Sequence, residues 1–173
     1  SLPDGYNPDI PHVRSILEPE YDRLWIVHRL DKETSGLLVL ARTKIAHKNL
    51  NQQFQDRIVN KTYHAIVHGR PPWDVIIIDS PLKVDGDRHH RTIISTAKGK
   101  PACTECAVIQ RWQNTSLLSI HPLTGYTHQI RAHLTSVGHS LLGDTVYTTH
   151  PLQFNEAFGR TALHSFSLQF NHP

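Results

Sequence analysis

His28-Arg29-Leu30-Asp31-Lys32-Glu33-Thr34-Ser35-Gly36 lies between two apolar runs of four, Leu24-Trp25-Ile26-Val27 before it and Leu37-Leu38-Val39-Leu40 after it. Apolar runs that bound a polar turn predict two buried strands and the loop joining them. The loop presents one carboxylate, Asp31, between the cations Arg29 and Lys32. Loops held by rigid strands are where chemistry concentrates. A plainer reading stays open on these residues alone: Asp31 caps the turn and pairs with Arg29, because turns favour Asp for local reasons.

Working outward, three further stretches join it. The quoted stretch, read as His-Arg-Leu-Asp-x-x-Thr-Ser-Gly, resembles the catalytic motif of the RluA-type pseudouridine synthases. Lys61-Thr62-Tyr63-His64-Ala65 is similar to the Lys-x-Tyr motif of that family. Leu123-Thr124-Gly125-Tyr126-Thr127-His128-Gln129-Ile130-Arg131-Ala132-His133-Leu134 resembles its third signature, and Gly138-His139-Ser140-Leu141-Leu142-Gly143-Asp144 is familial too. The motifs stand in the family's order, and the resemblance runs from about Leu2 to the end of the chain.

The resemblance implies an α/β (α+β) fold: one catalytic domain over 1–173, with a mixed, largely antiparallel sheet and flanking helices. It implies isomerisation of uridine to pseudouridine in ribosomal or transfer RNA, with no cofactor and no metal. Asp31 is then the catalytic carboxylate. Tyr63 stacks on the uracil and helps remove the C5 proton. Arg131 pairs Asp31 and keeps it ionised, with a charge-assisted contact of roughly 2.7–2.9 Å expected between them. Arg29 fills the gap left in the RNA when the uridine is flipped out, against the alternative of an ion pair with a neighbouring acid. Leu163 packs on the base, and His128 contacts substrate. Position 126, usually arginine in the family, is Tyr126 here, so altered RNA contact or local packing is expected there. The family's upstream Lys-Pro strand and its last strand are not found, so the chain reads as truncated at both ends.

Composition sets outer bounds. The chain has 173 residues, 38% of them hydrophobic, enough for one sizeable core. A net charge of +3 permits an anionic partner without requiring one. No apolar run approaches the about 20 residues needed to span a membrane, and no signal-peptide pattern opens the chain. A cytoplasmic monomer acting on RNA is the expectation. Cys103 and Cys106 form a C-x-x-C, but on a strand over Ala102–Trp112 residues three apart face opposite ways. Joint chelation is therefore disfavoured, and two reduced thiols are expected.

Along the chain, the proline-rich start 1–20 is irregular, with a short helix at His12–Leu17. A helix at Lys44–Arg57 is capped by Thr43 and carries the apolar stripe Ala46, Leu50 and Phe54. Strands are expected at Lys61–His68, Val75–Ser80, Ala102–Trp112, Ser116–Pro122 and Ala162–Phe170. Arg88-His89-His90-Arg91 is the most basic run, either a hairpin touching phosphates through Arg88 and Arg91 or a solvated loop. Thr127 offers an N-cap for a helix from about His128 to Val137, whose apolar face is Ile130, Leu134 and Val137 and which Gly138 ends. A short helix is expected near Gln153–Phe158. Two other functions compete: a non-catalytic RNA-binding module of the same fold, and a His/Asp hydrolase or metal nuclease suggested only by the 14 histidines.

Overall fold

The computed structural model describes residues 11–148 and 159–173. Along them the chain runs α1 (Val13–Tyr21), β1 (Trp25–Ile26), β2 (Ser35–Gly36), β3 (Leu40–Ala41), α2 (Lys44–Gln55), β4 (Asn60–His68), β5 (Val75–Asp79), β6 (Leu82–Lys83), β7 (Ile93–Ile94), β8 (Cys103–Arg111), β9 (Thr115–Pro122), α3 (Gln129–Ser136) and β10 (Leu163–Gln169). The main sheet has the order β2-β10-β4-β9-β8-β5. Its ladders are antiparallel except β2–β10, which is parallel. The sheet is thus mixed and largely antiparallel, as the sequence implies.

Period-two alternation places one face of β4, β8 and β9 inward. Ala65, Val67, Cys106, Leu118 and Ile120 are buried there, and Ile130 and Leu134 of α3 pack on them with Leu141 and Leu163. Each large aliphatic chain so buried stabilises the fold by roughly 1.5–3 kcal/mol. Six of the eight α3 residues, Gln129 to Leu134, are buried, because α3 packs into the core formed with the sheet. Cys103 is half-buried, Cys106 is buried, and both are free.

Three local expectations are corrected. The two apolar runs do not form four-residue strands. Only Trp25–Ile26 and Leu40–Ala41 do, pairing with each other apart from the main sheet, while Leu37 is 49% exposed. The reason lies inside the quoted stretch: Ser35-Gly36 is itself a strand, drawn against β10. Gly36 has φ +108°, and a Cβ there would collide with the carbonyl oxygen of Ser165 and lie 2.6 Å from its nitrogen. Only glycine allows that approach. Second, α1 extends to Tyr21 through Pro19, which sits in the last turn, where its missing N–H removes a single bond. Third, Thr127 does not cap α3. His128 occupies the N-cap with a left-handed φ of 55° and no side-chain cap bond. Thr43 does cap α2, its Oγ1 accepting the Ala46 N–H at 3.1 Å. The helix expected near Gln153–Phe158 lies outside the described residues.

Candidate active site

The carboxylate-bearing turn is clamped at both ends. At its near end His28 Nε2 accepts the Val39 N–H at 3.0 Å, and the ring stacks on Phe54 of α2 with centroids 4.7 Å apart. Burial, and to a lesser extent the Lys61 charge, holds the imidazole down at about 4, so it remains the neutral acceptor that the Val39 bond needs. Within the turn, the Thr34 N–H donates to the Asp31 carbonyl at 3.0 Å. At the far end, Ser35 Oγ bonds His164 Nδ1 at 2.9 Å and accepts from Arg160 Nη2 at 2.8 Å. Thr161 Oγ1 donates to Glu33 Oε2 at 2.6 Å. Asp31 is thereby held half-buried at the edge of a cleft of about 470 Å³.

Tyr63 reaches this cleft from β4 and Leu163 from the first position of β10; Arg29, His128 and Arg131 line it as well. Burial, with the Asp31 charge adding to it, raises the Tyr63 phenol above its ordinary value. The phenol therefore stays protonated at neutral pH.

Arg131 is in the cleft, but its fork does not hold Asp31. Nε donates to Asp144 Oδ2 at 2.7 Å and Nη2 to Asp144 Oδ1 at 2.8 Å. Asp144 Oδ1 also accepts the N–H groups of Val146 and Tyr147, each at 2.9 Å. Burial alone would lower the guanidinium, but the hydrogen bonds and charge of Asp144, with the charges of Asp31 and Glu33, raise it instead. Burial would likewise raise the Asp144 carboxyl, and Arg131 with the two backbone donors brings it below its ordinary value. The expected Arg131–Asp31 contact is therefore replaced by a buried bidentate pair with Asp144.

The group that faces Asp31 is His128, with Nε2 4.0 Å from Oδ2, and burial lowers this imidazole below its ordinary value even though the Asp31 charge works the other way. Its other nitrogen, Nδ1, lies 3.2 Å from the Tyr147 hydroxyl. That hydroxyl accepts the Thr92 N–H at 2.7 Å, so its proton is free for Nδ1. This assigns the Nε2–H tautomer facing Asp31. Tyr147 further receives the Arg131 guanidinium over its ring at 5.1 Å.

The basic run divides. Neither Arg88 nor Arg91 lines the cleft. Arg91 is fastened to Asp87 at 2.8 Å and to the Val146 carbonyl at 3.2 Å, whereas Arg88 is exposed and donates from Nε to the ring of His89 at 3.2 Å. Tyr126 borders the cleft and packs beside Leu82, Ala102, Ala132 and Tyr147, so local packing takes the place of an arginine. Sequence reasoning missed Asp144, Tyr147 and Gln129. Gln129 Oε1 accepts from Thr124 Oγ1 at 2.7 Å and the Tyr126 N–H at 3.1 Å, while its Nε2 donates to the Cys103 carbonyl at 3.0 Å. The signal for Asp144 was its place in the run Gly138–Asp144, an acid beside buried Leu141. Among the described residues, no group of three or more His, Cys, Asp or Glu is placed to hold a metal ion.

The sequence model of the RNA pseudouridylate synthase family matches residues 11–136. The chain is 46% identical over 154 residues to ribosomal large subunit pseudouridine synthase D of Zymomonas mobilis, covering 86% of this chain and 48% of that protein. It is 39% identical over 147 residues to the dual-specificity RNA pseudouridine synthase RluA of Pasteurella multocida, covering 84% of this chain and 66% of that one. The solved structure of human RNA pseudouridylate synthase domain containing 1 superposes with a TM-score of 0.81 at 29% identity, over 90% of this chain and 67% of that one. The chain spans about half the length of several curated relatives it matches.

Proposed function

The chain belongs to the RNA pseudouridylate synthase family, and from that membership and the groups gathered in the cleft we propose that it isomerises uridine to pseudouridine in ribosomal or transfer RNA. The bond between N1 of uracil and C1′ of ribose breaks, the base turns, and C5 bonds to C1′. The C5 proton is lost and N1 gains one, so atoms balance without a redox step or a cofactor. We read the protein as a cytoplasmic monomer. Among the described residues, no helix is long and apolar enough to cross a membrane.

One observation carries the reading: Asp31, Tyr63, Arg131 and Leu163, drawn from four separate segments, border one cleft. Asp31 acts on the nucleotide by attack at C1′, attack at C6, or removal of a C2′ proton; all three use the same carboxylate. Tyr63 supports the base by stacking, worth roughly 1–3 kcal/mol, with Leu163 on the apolar side. A uridine in folded RNA must be flipped out to reach this depth, at a cost of a few kcal/mol. Arg29, exposed at the cleft mouth, suits the gap that flipping leaves. Arg131 acts at one remove from Asp31, by fixing Asp144 and Tyr147 and, through Tyr147, the ring of His128.

Tritium release from 5-tritiated uridine in unmodified large-subunit ribosomal RNA or transfer RNA tests the activity. Asp31→Asn keeps the shape but is neither nucleophile nor base. It should lower turnover by roughly 10³-fold or more while RNA binding persists. Residual turnover within about tenfold of wild type would sink the assignment of Asp31. Binding without any tritium release by the wild type would favour a non-catalytic module.

A further inference from the structure

A second concavity of about 560 Å³ adjoins the catalytic cleft, and the two share Arg57 and Lys61. No Asp or Glu lines this second hollow; its polar lining is Asn60, Thr62, His121 and Gln169 with the two cations. Lys61 donates to the Thr124 carbonyl at 3.3 Å, and among the described residues neither cation lies within ion-pair distance of a carboxylate. Both cations stand at the boundary the two hollows share, with no carboxylate of the described residues beside them, and two like charges at one boundary favour an anion there. Burial, followed by the Arg57 charge, lowers the Lys61 ammonium below its ordinary value.

Arg57 carries an independent sign of purpose. It follows the C-cap of α2 with a left-handed φ of 59°. The Ile58 N–H reaches back to the Gln53 carbonyl at 3.1 Å and the Arg57 N–H to Phe54 at 3.3 Å. This closing turn ordinarily takes glycine, because a side chain strains it. An arginine held where glycine is the easier residue points to a use for its side chain.

We infer that the second concavity seats the nucleotide next to the target uridine, with its phosphodiester between Arg57 and Lys61. This rests on the pseudouridine synthase reading. The hollow has the size of a small-ligand site, larger than a bare anion needs. Its cations point toward the nucleotide backbone, which is recognised by charge and not by sequence.

The test compares the wild-type chain with Arg57→Gly and Arg57→Lys on the same tritiated ribosomal or transfer RNA. Arg57→Gly relieves the backbone strain, so its thermal midpoint should equal or exceed wild type. Its Kd for the RNA should rise about tenfold, and the slope of log Kd against log salt should fall by about 0.7, the loss of one phosphate contact. Arg57→Lys should restore the slope. If the wild type releases tritium while Arg57→Gly keeps both Kd and slope, the subsite is overturned and the functional reading stands. If the wild type neither binds nor turns over either RNA, the functional reading falls and the subsite with it.

Discussion

At the residue scale, Arg131 and Asp144 form a pair that tolerates loss of neither partner. Their side chains are 5% and 0% exposed, and removing one charge strands the other away from water. Asp144→Asn should lower the unfolding free energy by about 3–5 kcal/mol; denaturant unfolding measures it, and a loss under about 1 kcal/mol would contradict the packing described. The pair also sets an acid limb. The Asp144 carboxyl is depressed in the fold, so its stabilisation is present above the unfolded value of about 3.9 and is lost as pH falls through the lower folded value. The sequence made a cation near a carboxylate legible, but not which carboxylate. Asp31 and Asp144 both lie in signature stretches, and only the fold decides that the fork of Arg131 meets Asp144, while the half-buried Asp31 faces His128.

At the element scale, long periodic segments were readable and short ones were not. β4, β8, β9 and β10 fall within a residue or two of their expected ends, because alternation over seven to nine residues leaves few other solutions. β2 has two residues, too few to show any period, and it exists because β10 arrives from far along the chain. The docking of α2 on the carboxylate-bearing loop was hidden for the same reason, since His28 and Phe54 are 26 positions apart. That joint predicts a pH dependence. The folded value of His28 is about 4 against about 6.5 unfolded, so the unfolded chain binds more protons between these values. Stability is then full above about pH 6.5 and declines as pH falls toward 4. His28→Gln, which keeps an acceptor for the Val39 N–H, should flatten the fall of the thermal midpoint across this window. An unchanged slope would remove His28 as its source.

At the scale of the whole molecule, the sheet and α3 share one core, and Cys106 sits inside it at 1% exposure. Burial pushes its thiol up to about 12, so both access and thiolate formation require opening the fold. Iodoacetamide at pH 8 should therefore modify Cys106 at least about 10³-fold more slowly in the native protein than in denaturant. Fast native labelling would mean that the core opens locally. The parallel ladder between β2 and β10 has a consequence in time. Ser35 and His164 are 129 residues apart, and ribosomes add about 5–20 residues per second. The carboxylate loop therefore leaves the ribosome on the order of ten seconds before the strand that braces it. During that interval the loop has no far-end clamp, and the nascent chain, itself emerging from a particle made largely of RNA, carries this carboxylate loop unbraced until β10 is made.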